Sequence, residues 1–334
     1  MTSTWLFLSR FPRPGAEATT WLMTGGLLLA GSLYPAPDVG TFFEVAEGLL
    51  VLAPVVAVAA LLAGALTVGD WSDRVLGWIG TGTLRSVTIA SAIGALTPVC
   101  GLGVLPLIAS LLRRGAPLAA IMAFWIASPI TDPAMLVVTA GILGVPFAIA
   151  KTVAAFAIGL AAGAVTATLP GFHSSASNLM RTEALAAYGC APGESTFFRE
   201  AWTSARLVAR WLALALVLEA LLQRHVPASW IEAALGGDSP VSIPLAAIVG
   251  APFYLDGYAA LPLVRGLVGM GMDTGAALAL LISGAAVSLY ALIAVASLVR
   301  MRVLVLYLTL AVTGACLSGY VVSWIDVPVT AGVN

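Results

Sequence analysis

Apolar residues run along this chain in long windows almost free of charge. Residues 18–37 and 48–69 each hold about 20 uncharged, mostly apolar residues, the length a helix needs to cross the hydrocarbon core of a bilayer. Window 86–112 is as apolar, but Thr97-Pro98-Val99-Cys100-Gly101-Leu102-Gly103 and then Pro106 interrupt it. Window 115–150 is broken by Ser128-Pro129-Ile130-Thr131-Asp132-Pro133, and 152–169 predicts a clean span. A polar connection, 170–205, follows. Beyond it lie 206–223, interrupted by Arg206, Arg210 and Glu219, then 240–267, broken at Ala251-Pro252-Phe253-Tyr254-Leu255-Asp256-Gly257-Tyr258, then 274–299 and 303–325. Alternation of period two is absent, so the expected class is all-α, with no barrel.

Composition turns these windows into a membrane prediction. Of 334 residues, 60% are apolar and 9% charged, where a soluble domain carries about 25% charged residues. Too few charges remain to cover a water-facing surface. Disorder is excluded by the hydrophobicity. A nucleic-acid binder is excluded by a net charge of −1. The expected partners are the lipid bilayer and a small-molecule substrate, with no nucleic acid; a homo-oligomer is compatible with such a chain. Three cysteines make no disulfide framework. The run 5–8 is shorter than the apolar region of a signal peptide and is followed by Arg10 and Arg13, so it reads as an interfacial lead-in.

A weak internal repeat organises the windows. Leu105-Pro106-Leu107 matches Leu261-Pro262-Leu263, and the same offset pairs Leu111 with Leu267, Gly115 with Gly271, Ala120 with Ala276, Ala123 with Ala279 and Ile126 with Ile282. The expected organisation is a lead-in and first span over 1–44, membrane repeat one over 45–169, a cytoplasmic connection over 170–205, membrane repeat two over 206–325 and a tail over 326–334. Arg113-Arg114, the polar connection and Arg300/Arg302 fall on one face if the two broken segments are re-entrant hairpins. Each half then holds an odd number of spans plus a hairpin, and the two repeats are inverted, as in many secondary transporters.

The breaks are where chemistry is expected. Unwound backbone in hydrocarbon is tolerated only when it is buried in protein or lines a cavity. Two interruptions at corresponding places in two halves therefore point to a binding pathway. The candidate pathway residues are Thr97, Pro98, Cys100, Gly101 and Gly103 from the first break and Tyr254, Asp256 and Tyr258 from the second. Ser128, Thr131 and Asp132 join them from the neighbouring broken helix. Asp132 and Asp256 are candidate coupling carboxylates, because a charge at membrane depth costs about 2.5–3.5 kcal/mol and is a functional hypothesis by default. Thr131-Asp132-Pro133 also fits an N-cap with proline at the first helical position. An Asx-turn is the structural alternative for Asp256. Arg265 is expected to snorkel to a surface. Gly159 and Gly163, four apart, allow close helix approach inside the bundle.

Thr97 to Leu107, the following Arg113-Arg114-Gly115-Ala116-Pro117, Ala127 to Ala134, and Gly250-Ala251-Pro252-Phe253-Tyr254 through Leu261-Pro262-Leu263 resemble the signature of the ArsP/YraQ-like predicted permeases, over roughly 45–325. The resemblance implies a multi-spanning permease in a bacterial-type inner cell membrane and, in some members, efflux of trivalent organoarsenicals through membrane-embedded thiols. Of a Cys-x-Cys pattern this chain keeps Cys100, with Leu102 at the second place.

No His-Glu-x-x-His, Walker loop or Gly-x-Ser-x-Gly appears, so no enzyme, metal site or cofactor is expected. The expected function is a secondary transporter of the efflux type, moving a small solute between the two broken segments with proton coupling. The alternative is a non-transporting membrane subunit or scaffold of a larger complex.

Overall fold

The computed structural model describes residues 83–97, 104–113, 115–131, 133–170, 241–253, 260–287 and 298–329. It also describes isolated positions at 24–26, 46, 47, 50, 53, 54, 57, 61, 179, 180, 202, 205, 206, 209, 213, 217, 292, 295 and 296. The helices of this region, in chain order, are α1 (Thr83–Leu96), α2 (Val104–Arg113), α3 (Leu118–Ala127), α4 (Pro133–Leu143) and α5 (Val145–Thr168), then α6 (Ser242–Phe253), α7 (Ala260–Gly269), α8 (Thr274–Ala286) and α9 (Met301–Ile325). Among the described residues no strand occurs; one isolated antiparallel bridge joins Met180 to Val299. The all-helical class expected from the windows is what the chain adopts.

Two helices, α5 and α9, are long and apolar enough to cross a bilayer, with 24 and 25 residues and a mean hydropathy of 1.8 in each. At 1.5 Å per residue each is about 36 Å long, against about 30 Å of hydrocarbon. Helix α5 starts seven residues before the window that predicted it. Gly144, at φ 95°, turns the chain, and a proline in the first turn sets the helical φ. Lys151 therefore lies inside the span, where the charge had suggested a boundary.

The centre of the molecule is α3 and α8. Every residue of α3 is buried, and so is every residue of α8 after Thr274. A helix that is apolar all round has no water-facing side and must be enclosed. Helices α1 and α5 enclose α3, and α6 and α9 enclose α8. Small residues make this possible. A β-carbon on Gly94 would sit 2.7 Å from the Phe124 carbonyl oxygen, and one on Gly163 would sit 2.8 Å from that of Ala119 and 2.5 Å from Val87. Such distances admit only glycine, so helix backbones touch directly. The close approach expected of Gly159 and Gly163 is internal packing of this kind.

These contacts recur in the second half, 156 residues on. Gly250 meets the Leu280 carbonyl as Gly94 meets that of Phe124. Gly319 meets Ile243, the Gly275 carbonyl and Ala279, the counterparts of Val87, Ala119 and Ala123 around Gly163. The turns match as well. Gly115 at φ 84° and Gly271 at φ 98° close α2 and α7. Ala116 N donates to Leu111 O, and Met272 N to Leu267 O, both at 3.0 Å. That pattern is a Schellman cap, which needs a left-handed residue and so favours glycine.

The contacts also fix direction. Val87 lies near the residues around Ala119 and Ala123, Gly94 near Phe124 and Ala127, so α1 and α3 run parallel. Gly159 meets Ser91 and Ala127 whereas Gly163 meets Val87 and Ala119, so α5 runs antiparallel to both. Ser91 Oγ ties α1 to α5 by donating to the Phe156 carbonyl at 2.7 Å. The same contacts make α6 parallel to α8, with α9 opposed.

Helix ends and starts fall at both expected breaks, with one shift, and residues 98–103 and 254–259 lie outside the described residues. Helix α1 ends at Leu96, before Pro98, and α2 starts at Val104. In the second half Pro252 lies within the last turn of α6, which ends at Phe253, and α7 starts at Ala260. Position 252 has no N–H to reach the carbonyl of residue 248, so the ladder loses a bond there and the helix ends one residue later.

Replacing Gly163 or Gly319 with valine should lower the midpoint of thermal unfolding in detergent, by on the order of 1–3 kcal/mol of overpacking or more. Gly141→Ala, where nothing lies within 4 Å of a new β-carbon, should leave it unchanged or slightly raised. Tryptophan fluorescence during heating measures both.

Candidate functional site

The strongest candidate lies where the segment 118–143 is interrupted. Helix α3 ends at Ala127, and its last turn is closed by Ser128 N donating to Phe124 O at 3.0 Å and Ile130 N to Ala127 O at 3.3 Å. Helix α4 begins at Pro133. Together α3, the turn and α4 make 26 residues, a spanning length split into two short helices. Ser128 is 2% exposed, Ile130 fully buried and Thr131 3% exposed. Non-helical backbone is thus enclosed in protein at the middle of an apolar segment, the one setting in which a membrane tolerates it.

Thr97 sits at the same level. Gly94 of α1 packs on Phe124 and Ala127 of α3, and the two helices run parallel, so three residues on, Thr97 and Ile130 leave the two helices together. Thr97 closes α1, its N donating to Gly94 O at 3.2 Å and its Oγ1 to Ile93 O at 2.5 Å. Of the eleven sequence-predicted pathway residues the structure therefore places Thr97, Ser128 and Thr131, all at the C-terminal ends of α1 and α3. Pro98, Cys100, Gly101, Gly103, Asp132, Tyr254, Asp256 and Tyr258 lie outside the described residues. Arg265 of α7 is exposed, as a snorkelling side chain should be.

One group at this place escaped the sequence reading. Lys151, six residues into α5, is 2% exposed. Gly159 of the same helix meets Ala127, and α5 runs antiparallel to α3, so Lys151 lies about 12 Å further along, past the end of α3. The second half shows where such a side chain reaches. The counterpart of Lys151 is Tyr307, whose hydroxyl donates to the Ala286 carbonyl at 2.5 Å, and Ala286 is the counterpart of Ile130. Tyr307 also packs on Trp125, ring centroids 4.8 Å apart. Ser128 and Lys151 each make a further polar or electrostatic contact. A signal for Lys151 was present in the sequence. It is the single lysine, the other fourteen basic residues being arginines, and it falls in an apolar stretch.

Thr139 belongs to the same region. It is 1% exposed, on α4, and its hydroxyl has no hydrogen-bond partner among the described residues. Helices α4 and α5 pack together across the turn at Gly144. Thr139 lies five residues before that turn and Lys151 seven after it, within about 3 Å of the same level. Helix α7 of the second half packs on α4, so both halves border this region.

A groove elsewhere in the bundle is different in kind. A groove of about 440 Å³ between α5 and α9 is lined by Val153, Ile158, Val165, Leu310, Leu317 and Val321 among others. Its hydroxyls are spent on their own helix, Thr313 donating to Thr309 O at 2.6 Å and Ser318 to Ala315 O at 3.0 Å. It offers dispersion contacts and no group to orient a polar solute.

Comparison with known proteins places the chain in a family of predicted permeases. The family ArsP_1, described as "Predicted permease", matches residues 40–324, and the chain belongs to it. It is similar to the UPF0718 protein YraQ of Escherichia coli, 29% identical over 228 residues that cover 67% of this chain and 63% of that protein. It is also similar to the UPF0718 protein MJ0584 of Methanocaldococcus jannaschii, 26% identical over 125 residues, 37% of this chain and 34% of the relative. The chain thus spans less than two thirds of the length of either. No solved structure matches. The family named from the sequence motifs is the family found.

Tyr307→Phe should destabilise the bundle by about 1–3 kcal/mol, because the Ala286 carbonyl loses its donor in a buried place. Chemical unfolding in mild detergent, followed by loss of helical circular dichroism, reads that shift.

Proposed function

We propose that this protein is a secondary transporter that moves a small solute across the cell membrane, in the efflux direction, through a midplane site between its two interrupted segments. The observation that carries the reading is the buried turn at Ser128–Thr131, with Thr97 beside it. Backbone of this kind is tolerated inside protein or against a cavity, and a break between two half-helices is where transporters hold their solute. Membership in a family of predicted permeases supports transport in general. No nucleotide-binding loop occurs in the sequence, so the driving force comes from an ion or proton gradient or from a separate partner; in the gradient reading Asp132 or Asp256 carries the coupling proton.

The two halves are inverted repeats in this reading. Support comes from Ile158 and Gly314. They occupy equivalent positions, 156 residues apart, and touch each other, a β-carbon on Gly314 falling 2.5 Å from Ile158 Cγ2. Equivalent residues meet only on the axis that relates two copies. In this reading the axis crosses α5 and α9 there and lies in the membrane plane, which turns one half upside down relative to the other. Helices α1 and α2 and helices α6 and α7 are then the re-entrant hairpins of the two halves.

In proteoliposomes, Asp256→Asn should fold normally and lose gradient-driven flux while retaining exchange of solute down its own gradient. Full gradient-driven transport by that variant rejects coupling at Asp256. Cys100 should react with a water-soluble thiol reagent, and solute should slow the reaction. Complete inaccessibility of Cys100 in every condition favours the scaffold reading.

A further inference from the structure

The duplicated scaffold allows a test of which polar groups its packing requires. Around the turn that follows α3, the first half carries Ser128, Thr131, Thr139 and Lys151, all buried. At the equivalent positions the second half carries Gly284, Val287, Val295 and Tyr307, also buried. The helices pack through the same glycine and carbonyl contacts in both halves. The three hydroxyls and the positive charge of the amine are therefore dispensable to the architecture, since the second copy closes the same way with apolar residues and a neutral donor, the Tyr307 hydroxyl. Polar groups that packing does not need, kept inside a membrane protein at a cost, are retained for a ligand.

Their chemistry says which ligand. Lysine is compact, strongly hydrated and cationic, and presents three donors and no acceptor. Serine and threonine hydroxyls can donate beside it. Thr139 is the clearest of them, because its buried hydroxyl has unused hydrogen-bonding capacity among the described residues. Arginine serves every other basic position of the chain, so a lysine in the one buried basic position described is a choice of a small point charge. A cation with hydroxyl donors on the adjoining helices complements an anionic oxygen.

We propose that Lys151 is the recognition cation of the pathway, and that the solute carries an anionic group, a carboxylate or small oxyanion, which Lys151 meets together with the hydroxyls of Ser128, Thr131 and Thr139. This rests on the permease reading and adds the charge of its substrate. The solute leaves the charged amine for the water on the far side when the pathway opens there, and the resting contacts of Lys151 within the fold reform behind it.

Because the chain has one lysine, labelling lysine side chains with nitrogen-15 gives one amine signal in the detergent-solubilised full chain. Sodium acetate, benzoate, phosphate and sulfate are titrated at constant ionic strength, with acetamide and benzamide as neutral controls. At least one anion should shift that signal saturably and raise the unfolding temperature, while the amides do neither. Lys151→Tyr, the residue the second half accommodates at this position, should weaken half-saturation at least tenfold, and Lys151→Arg should weaken it less. No saturable anion effect on the wild-type protein, or an unchanged half-saturation in Lys151→Tyr, overturns the assignment. Should the Lys151 variants fail to fold, Thr139→Val decides, since it removes a hydroxyl without a described partner; it should weaken the same anion several-fold, and unchanged binding overturns the proposal. Proteoliposome flux separates the two readings. Gradient-driven movement of neutral or cationic solutes without anion binding leaves the permease standing and rejects the anionic substrate. Anion binding through Lys151 with no flux of any solute does the reverse.

Discussion

A peptide group in hydrocarbon has no water to bond, and that constraint orders the whole molecule. Every backbone N–H and C=O must find a partner in a helix, in a cap or in enclosed protein. The Schellman caps at Gly115 and Gly271, the threonine hydroxyls that donate back to their own helices and the Asp273 cap of α8, whose Oδ2 accepts from Ala276 N at 2.9 Å while its Oδ1 accepts from Ser323 Oγ, all answer it locally. The turn between α3 and α4 answers it differently, by lying inside a wall of helices. That wall stands because α1 and α5 approach α3 at backbone distance through glycine and alanine.

The duplication gives the molecule a built-in comparison. Helix starts at Val104, Leu118 and Val145 recur at Ala260, Thr274 and Met301, and the glycine contacts recur with them. What differs is polarity. The second half fills its corresponding region with Val287, Val295 and the Tyr307 ring against Trp125. The first half fills it with hydroxyls and a buried amine. A common scaffold with one polar and one apolar copy makes a pathway chemically asymmetric even when its frame is symmetric.

Much of this was readable from the chain. The all-helical class followed from apolar windows with no alternation of period two. The first break followed from Pro98 with glycines behind it, and the repeat from the Leu-Pro-Leu pair. Two boundaries were misjudged, one because a charge and one because a proline was treated as a stop. Lys151 closed one window and opened the next, whereas the chain turns at Gly144 and the helix runs through the lysine. The second break was drawn from Ala251, but helix α6 runs through Pro252 and ends at Phe253.

The amino-acid sequence by itself marked this chain as a membrane protein, built of helices, and showed the neighbourhoods in which those helices are interrupted. Those outcomes depend on local hydrophobicity and on backbone chemistry at proline and glycine, which act over a few residues. Which side chains share a place was decided only by tertiary packing. Lys151 stands beyond the end of α3 because α5 runs antiparallel to it, and Thr97 stands level with Ile130 because α1 runs parallel. Helix direction and depth of contact come from glycines meeting carbonyl oxygens across helices distant in the chain, and no local pattern encodes that pairing.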